Sequence, residues 1–249
     1  DEGTTIPVTV VHGVSDGPVL ALIAGIHGYE YPPITALQAM RTQVDPAALS
    51  GTIILVHIAN MPAFLGRTIY YSPVDGKNLN RMFPGDPDGS ISQRIAHILT
   101  TEVIDQANYL VDLHAGDGNE ALRPYVYMPV TGNAVFDSKI EGLALAFGLD
   151  HIVMDTGPQH ASGLSLFTDQ TALERGIPAI TTETGKSGSN ATYWVGLAER
   201  GIWNVLRHLD MIAEDEVINT GITWLSDYKV IKSPRSGIFR AVTKDGYYV

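Results

Sequence analysis

The sequence predicts an α/β fold, with a mixed, mostly parallel central sheet, helices on both faces, and the start of a small C-terminal β region. The main observation is that short apolar runs alternate with segments of helical period from residue 19 to residue 212. This alternation is typical of strands joined by crossover helices. From residue 223 onward the apolar residues alternate as in strands, and Asp245-Gly246 is a hairpin signal. We therefore expect a main domain over residues 1–222 and the start of a truncated β domain over residues 223–249.

The apolar run at residues 19–24 has the length of a strand and no helical period, as in strands that are buried on both faces. Glycines at both ends of residues 25–28 allow the chain to turn. Pro32-Pro33 suit the first turn of a helix, because proline there lacks only an N–H that has no intrahelical partner. His27 and Glu30 are thus expected on a strand-to-helix loop, where open α/β sheets place functional residues. A His-x-x-Glu pair alone is weak evidence, and an ordinary solvated loop is the alternative.

The other strands are predicted from apolar or β-branched runs that end in polar or glycine-containing turns. In chain order they cover residues 5–11, 52–58, 109–113, 126–129, 151–154, 179–182, 223–231 and 237–242.

The helices are predicted from apolar residues at spacings of three and four and from their end signals. They cover residues 34–44, 91–105, 134–147, 163–175 and 192–212. Ser90 can cap the second of these helices, and Gly148 and Gly176 can end the third and the fourth. Residues 67–89 are rich in Gly, Pro, Asp and Asn and are too long for a simple connection in a compact domain, so we expect a functional loop.

Charge and composition limit the class of partner. The chain has 249 residues, a formal net charge of −11 and no cysteine. No run of Lys or Arg could neutralise phosphates, which argues against nucleic acid and against an anionic membrane. No apolar run has the length of a membrane span and no signal peptide is visible. We therefore expect a cytoplasmic protein that acts on small molecules, and the sequence leaves a homo-oligomer open.

Polar residues lie at or just after the ends of three of the predicted buried strands: His27 with Glu30, Asp112 with His114, and Glu183. Without cysteine, any metal must be bound by His, Asp or Glu. Two histidines and one glutamate with an open fourth position are a ligand set of catalytic zinc. We expect the side chain of Asp112 to point to the other face of its strand and to support the site rather than bind the metal.

Several histidines allow other interpretations. His114 and Asp117 form a rival ligand pair, although Asp117 lies in a glycine-containing segment that is typical of a turn. His57 lies within an apolar strand, which is more typical of a core histidine. The roles of His151 and His160 stay open, and a position in a solvated loop is favoured for His160.

Longer motifs surround these residues. They are residues 25–30, residues 60–64, residues 67–85 with Asn78-Leu79-Asn80-Arg81-Met82-Phe83-Pro84-Gly85, residues 112–114, and residues 176–185. In this order they resemble the succinylglutamate desuccinylase/aspartoacylase family, which are zinc amidohydrolases related to the metallocarboxypeptidases. The resemblance covers residues 20–185, and the region after residue 224 resembles the start of the family's C-terminal domain. It implies a zinc carboxypeptidase-like fold in which residues 1–222 are the zinc-hydrolase catalytic domain.

The resemblance also implies roles for the polar residues that follow the strands. His27, Glu30 and His114 are implied to bind one zinc ion per chain. Glu183 is implied to be the general base and the proton shuttle.

Further roles are implied for the long loop. Arg67 corresponds to the arginine that polarises the scissile carbonyl, and Asn80 and Arg81 correspond to the pair that holds the carboxylate of the substrate. Two positions depart from the family's pattern. Tyr29 replaces the small polar or acidic residue that is common between the metal-binding His and Glu, and Asn78 stands where many members have aspartate.

The implied activity is zinc-dependent hydrolysis of the linear amide bond of an N-acyl amino acid or a related small molecule. Zinc provides a nucleophile at neutral pH by lowering the pKa of its water to about 7. The planar guanidinium of an arginine matches a substrate carboxylate. The alternatives are a metallocarboxypeptidase-like peptidase, which would cleave C-terminal residues from peptides, and a catalytically inert binding module on the same scaffold.

Overall fold

The computed structural model describes residues 3–156, 166–217, 219–227 and 229–245. The strands are β1 (Val8–His12), β2 (Ser15–Ala24), β3 (Ser50–Val56), β4 (Tyr109–His114), β5 (Tyr125–Pro129), β6 (His151–Asp155), β7 (Ala179–Glu183) and β8 (Thr223–Leu225). They form one sheet in the order β1-β3-β2-β4-β7-β5-β6-β8. The pairs β1/β3 and β5/β7 are antiparallel, and the other neighbours are parallel. The predicted mixed, mostly parallel sheet is therefore confirmed.

The α-helices of the described residues are α1 (Tyr31–Gln43), α2 (Met61–Gly66), α3 (Ile91–Glu102), α4 (Ala134–Phe147), α5 (Thr168–Leu173) and α6 (Thr192–His208). Only α2 was not predicted, and it begins where the Asn60 side chain accepts a hydrogen bond from the Ala63 N–H. Residues 163–165 of the helix predicted before Gly176 lie outside the described residues. None of the described helices is long and apolar enough to cross a membrane.

The two faces of the sheet bury alternate residues of the same strands. Along β2, Leu20, Leu22 and Ala24 pack in one apolar core with residues of α1, α4 and α6. Ala21 and Ile23 pack in a second core with residues of α3 and α5. Successive strand residues point to opposite faces, so a strand covered by helices on both faces needs a continuous apolar run. This requirement explains the apolar segment at residues 19–24 of the sequence.

The C-terminal region differs from the prediction. Strand β8 covers only Thr223–Leu225 and lies parallel to β6 at the edge of the main sheet, so the strand predicted over residues 223–231 is too long. The strand predicted over residues 237–242 is wrong, since these residues have no strand pairing. Ile238 and Phe239 are 90% and 88% exposed. An alternating pattern does not make a strand without a neighbour that accepts its backbone hydrogen bonds. The division into two domains stays a prediction.

The loop between β2 and α1, residues 25–30, is held by the segment that follows β3. The Asn60 N–H donates to the Gly25 carbonyl oxygen at 2.9 Å, and the Asn60 side-chain amide donates to the backbone of the same loop. Gly28 lies so close to α2 that a Cβ atom there would be 2.2 Å from the Ala63 carbonyl oxygen. The position of this loop therefore depends on a close approach between two backbone segments.

We expect Gly28→Ala to lower the free energy of unfolding by about 1–3 kcal/mol, the usual cost of overpacking, because the added methyl group meets backbone atoms that cannot turn away. Denaturant unfolding followed by circular dichroism measures the change. Gly237→Ala is the matched control, since a Cβ at Gly237 meets nothing within 4 Å. Equal stability of the two variants would contradict the close approach at Gly28.

Candidate metal centre and active site

Three of the predicted site residues come together at the carboxyl ends of β2 and β4. Among the described residues, His27, Glu30 and His114 form a group that could hold a metal ion, and their ligand atoms all lie within 4.8 Å of one another. Their exposed fractions are 8%, 2% and 3%. The solvated loop that was the alternative for His27 and Glu30 would expose these side chains, so the structure argues against it.

Each carboxylate oxygen of Glu30 faces one imidazole. Oε1 lies 2.7 Å from His27 Nδ1, and Oε2 lies 2.7 Å from His114 Nδ1. Oε2 nevertheless has no aligned hydrogen-bond partner among the described residues. Burial raises the pKa of Glu30, but the charges of His114 and then of His27 outweigh burial and lower this pKa to about 2. Glu30 is also the N-cap residue of α1, where the helix dipole favours a negative charge.

The outer nitrogen of each imidazole faces a side-chain oxygen. His27 Nε2 lies 3.1 Å from Asn78 Oδ1, and His114 Nε2 lies 3.1 Å from Asp112 Oδ2. Such oxygens orient metal-binding histidines so that the other ring nitrogen faces the metal. Both Nδ1 atoms therefore converge on the carboxylate of Glu30. This buried, converging set of two imidazoles and one carboxylate fits a divalent cation.

Asp112 supports the site, but not from the other face of the strand. That expectation is wrong, because residues two apart on a strand point to the same face and Asp112 contacts His114 directly. Burial lowers the pKa of His114, but the carboxylates of Asp112 and Glu30 outweigh burial and raise it well above its usual range. His114 thus lies in a strongly negative environment, as a cation site requires.

Glu183 lies directly beside His114, because β4 and β7 are parallel neighbours and these two residues are paired in the register. It ends β7, and its Oε2 atom is shielded from solvent without a hydrogen-bond partner among the described residues. Burial and the negative charge of Glu30 raise the pKa of Glu183 well above its usual range, although His114 opposes them. The structure therefore places a carboxyl group of raised basicity next to the cluster.

A cavity of about 350 Å³ opens in front of the cluster, and Glu183, Asn80 and Arg81 line it. The Arg81 guanidinium lies 4.2 Å from the centre of the Phe167 ring. Asn80 Oδ1 accepts hydrogen bonds from the backbone N–H and the hydroxyl of Thr168, at 3.1 and 3.2 Å. Because Thr168 begins α5, the long loop and this helix form one wall of the cavity together.

Arg67 is not among the side chains that line this cavity. It is exposed at the end of α2, in a left-handed backbone conformation with φ 49°. The role implied for Arg67 in polarising the carbonyl therefore stays a prediction.

Tyr70 lines the cavity, and its ring lies edge-on to the His27 imidazole at a centroid distance of 5.6 Å. The Asp117 carboxylate accepts hydrogen bonds from the backbone N–H groups of Tyr70, which lies in the long loop, and of the adjacent Gly118.

The remaining histidines contribute nothing to the cluster where they are described. His57 is buried, and its Nε2 lies 2.9 Å from Thr9 Oγ1, as expected of a core histidine. His151 Nδ1 lies 2.8 Å from Asp150 Oδ1. His160 lies outside the described residues.

Sequence reasoning missed the tyrosines of the cavity. Tyr125 and Tyr127 both line it from β5, with ring centroids 4.9 Å apart and the rings nearly perpendicular. Their spacing of two residues indicates that they share a face of a strand. Nothing in the local sequence indicates that this face meets the cavity, because that depends on where β5 lies in the sheet.

Comparison with known proteins decides the family. The model of the succinylglutamate desuccinylase/aspartoacylase catalytic domain matches residues 16–209. The chain belongs to this family. The resemblance found in the motifs and the α/β fold that it implied are thereby confirmed.

Similar proteins include both a curated relative and solved structures. The N-alpha-acetyl-L-2,4-diaminobutyric acid deacetylase of Halomonas elongata is 36% identical over 209 residues, which are 83% of this chain and 59% of that protein. The succinylglutamate desuccinylase/aspartoacylase structure from Rhodobacter sphaeroides has a TM-score of 0.86 at 29% identity, over 97% of this chain and 73% of that one. The product-bound ectoine utilization protein EutE (DoeB) from Ruegeria pomeroyi has a TM-score of 0.81 at 27% identity, over 89% and 66% of the two chains. The chain thus spans about three fifths of the curated relative.

We expect Asp112→Asn to weaken the binding of Zn²⁺ by about 10- to 100-fold, the usual cost of losing the group that orients a metal-binding histidine. Competition with a chelating dye measures the affinity. His114→Ala, which removes a ligand, should abolish tight binding and gives the lower limit of the assay. Asp105→Asn makes the same chemical change in the short 3-10 helix after α3. If Asp112→Asn binds zinc as tightly as this control, Asp112 does not orient His114.

Proposed function

We propose that the chain is the catalytic part of a zinc-dependent amidohydrolase that cleaves the linear amide bond of an N-acyl amino acid. The observation that carries this proposal is one cavity that is lined by the buried His27, Glu30 and His114 cluster and also by Glu183 and Arg81. The Halomonas relative is a deacetylase of N-alpha-acetyl-L-2,4-diaminobutyric acid by name, which supports the same reaction class.

The proposed cofactor is one Zn²⁺ ion per chain, held by His27, Glu30 and His114. Two histidines and one glutamate leave a fourth position open, as catalytic zinc sites do. Bound zinc supplies Lewis acidity towards the carbonyl and a water whose pKa is lowered to about 7. The chain supplies the buried environment around it, because all three side chains are shielded from solvent.

Glu183 is the proposed general base. Its pairing with His114 across β4 and β7 supports this role, because it brings Glu183 next to a residue that would hold the metal. Its raised pKa makes it a stronger base than an exposed glutamate, and such tuning suits a group that takes a proton and then passes it on. In this mechanism Glu183 accepts the proton of the water and delivers it to the leaving amine.

Arg81 and Asn80 are the proposed binding residues for the substrate carboxylate. The guanidinium can offer two parallel N–H donors to a carboxylate, and its contact with the Phe167 ring supports its orientation. A cavity of about 350 Å³ suits a small molecule rather than a protein. With the carboxylate at Arg81 and the scissile amide at the cluster, the substrate is an N-acyl amino acid.

Other parts of the proposal rest on composition alone. The net charge of −11 argues against nucleic acid and membrane partners. The cytoplasmic location and a homo-oligomer stay predictions.

The alternative functions have less support. No specific observation favours the peptidase alternative, and the orientation of both imidazoles by side-chain oxygens argues against an inert binding module.

Glu183→Gln tests the proposal. Glutamine has nearly the same shape but cannot accept the proton, so we expect kcat to fall about a hundredfold or more while folding and zinc content stay the same. Hydrolysis of N-acetyl and N-succinyl amino acids, with metal analysis of the same samples, measures both effects. Glu141→Gln on the exposed side of α4 is the matched control. If the variant keeps its kcat, another residue must be the general base. If the variant loses zinc, Glu183 must be a metal ligand.

Arg81→Lys tests the binding of the carboxylate. Lysine keeps the charge but loses the planar pair of donors, so we expect kcat/KM to fall by about tenfold or more. The internal control is a substrate whose carboxylate is blocked as a carboxamide, for which the loss should be small. An equal effect on both substrates would show that Arg81 does not bind the carboxylate.

A further inference from the structure

Tyr125 stands in the same row of the sheet as His114 and Glu183. In the parallel pair β4/β7, His114 is opposite Glu183, and in the antiparallel pair β5/β7, Tyr125 is opposite Glu183. Residues directly opposite each other on neighbouring strands point to the same face of a sheet. The three side chains therefore face one cavity in the order ligand, base, tyrosine, and all three line it.

This order restricts where the scissile amide lies. In the proposed reaction the carbonyl carbon would lie next to the cluster that would hold the metal, while the amide nitrogen would lie within reach of Glu183, which would protonate it. The carboxylate of the substrate would bind Arg81, which lines the same cavity. The nitrogen end of the amide is therefore bordered by the next side chain in the row, Tyr125.

The hydrogen bonding of Tyr125 shows what its hydroxyl group can offer. The Tyr125 hydroxyl donates to the Tyr127 hydroxyl at 3.2 Å, so its own oxygen keeps lone pairs that can accept. Burial, together with the negative charge of Glu183, raises the pKa of Tyr125, which keeps the phenol protonated at neutral pH. Tyr125 thus presents a neutral acceptor to the cavity beside the base.

We propose that Tyr125 accepts a hydrogen bond from the N–H of the scissile amide and so fixes the side from which the nitrogen receives its proton. This inference rests on the proposed function. None of the roles implied by the sequence motifs includes Tyr125.

The chemistry requires such orientation. When the water oxygen bonds to the carbonyl carbon, the amide nitrogen becomes pyramidal and its lone pair, no longer shared with the carbonyl group, becomes localised on the nitrogen. Glu183, which has taken the proton of the water, gives it to that lone pair, the C–N bond breaks, and the amine leaves. If Tyr125 holds the N–H on one side, the lone pair is directed towards Glu183 on the other.

A matched pair of substrates tests this role. The first is an N-acetyl amino acid, and the second is the 2-acetoxy acid in which oxygen replaces the amide N–H. Tyr125→Phe should lower kcat/KM for the amide by about tenfold, the scale of one neutral hydrogen bond, and should leave the ester within about twofold of the parent. Equal losses on both substrates, or no loss on the amide, would overturn the proposal.

Binding measurements give a second readout that needs no turnover. In the Glu183→Gln background, Tyr125→Phe should weaken the binding of the amide measured by calorimetry but not that of the ester, with zinc content unchanged. Tyr193→Phe, at an exposed position of α6, is the matched control for both measurements. A parent protein that hydrolyses neither substrate would contradict the proposed function. An active parent whose Tyr125→Phe variant keeps the same kcat/KM for the amide would contradict this inference alone.

Discussion

The buried carboxylate of Glu30 is the interaction on which the site depends. It lies 2.7 Å from one imidazole of its own loop and 2.7 Å from the imidazole of His114, which ends a neighbouring strand. Removing an ionised carboxylate from water costs several kcal/mol unless it is paired, so this arrangement persists only while both histidines are in place. Two segments that are distant in the sequence are thereby held together at the carboxyl edge of the sheet, where parallel strands end side by side.

The surroundings of the two glutamates of the site give them different chemistry. Glu30 faces two imidazoles, and they lower its pKa to about 2, which suits a permanent ligand. Glu183 has one carboxylate oxygen shielded from solvent and lies near the negative charge of Glu30, and its pKa is raised, which suits a group that takes and returns a proton. Two carboxyl groups whose environments move their pKa values apart are the usual sign of a division of labour in an active site. Here Glu183 lies beside His114 because of the register of β4 and β7, whereas Glu30 lies on the loop that follows β2, the other neighbour of β4.

Much of this architecture is local and could be predicted from the sequence. The continuous apolar run of β2 follows from burial on both faces, and the proline pair follows from the first turn of α1. His27 and Glu30 come together because they share one short loop. Prediction failed where a partner was needed: the apolar alternation at residues 237–242 forms no strand, because the described structure places no neighbouring strand beside it. The side-chain direction of Asp112 was also predicted wrongly, although the two-residue period of a strand already determines it.

The sequence by itself determined the main alternation of strands and helices apart from α2 and the wrongly predicted strand at residues 237–242, the family, and the polar residues at the ends of the buried strands. It did so because periodicity and motifs are properties of neighbouring residues. Only the tertiary structure decided that β7 lies between β4 and β5, and therefore that Glu183 stands between His114 and Tyr125. It also decided that Arg67 lies outside the cavity that Arg81 lines. The physical reason is that strand order and the contacts across a cavity depend on the packing of the whole sheet, which brings together segments whose local sequences carry no information about one another.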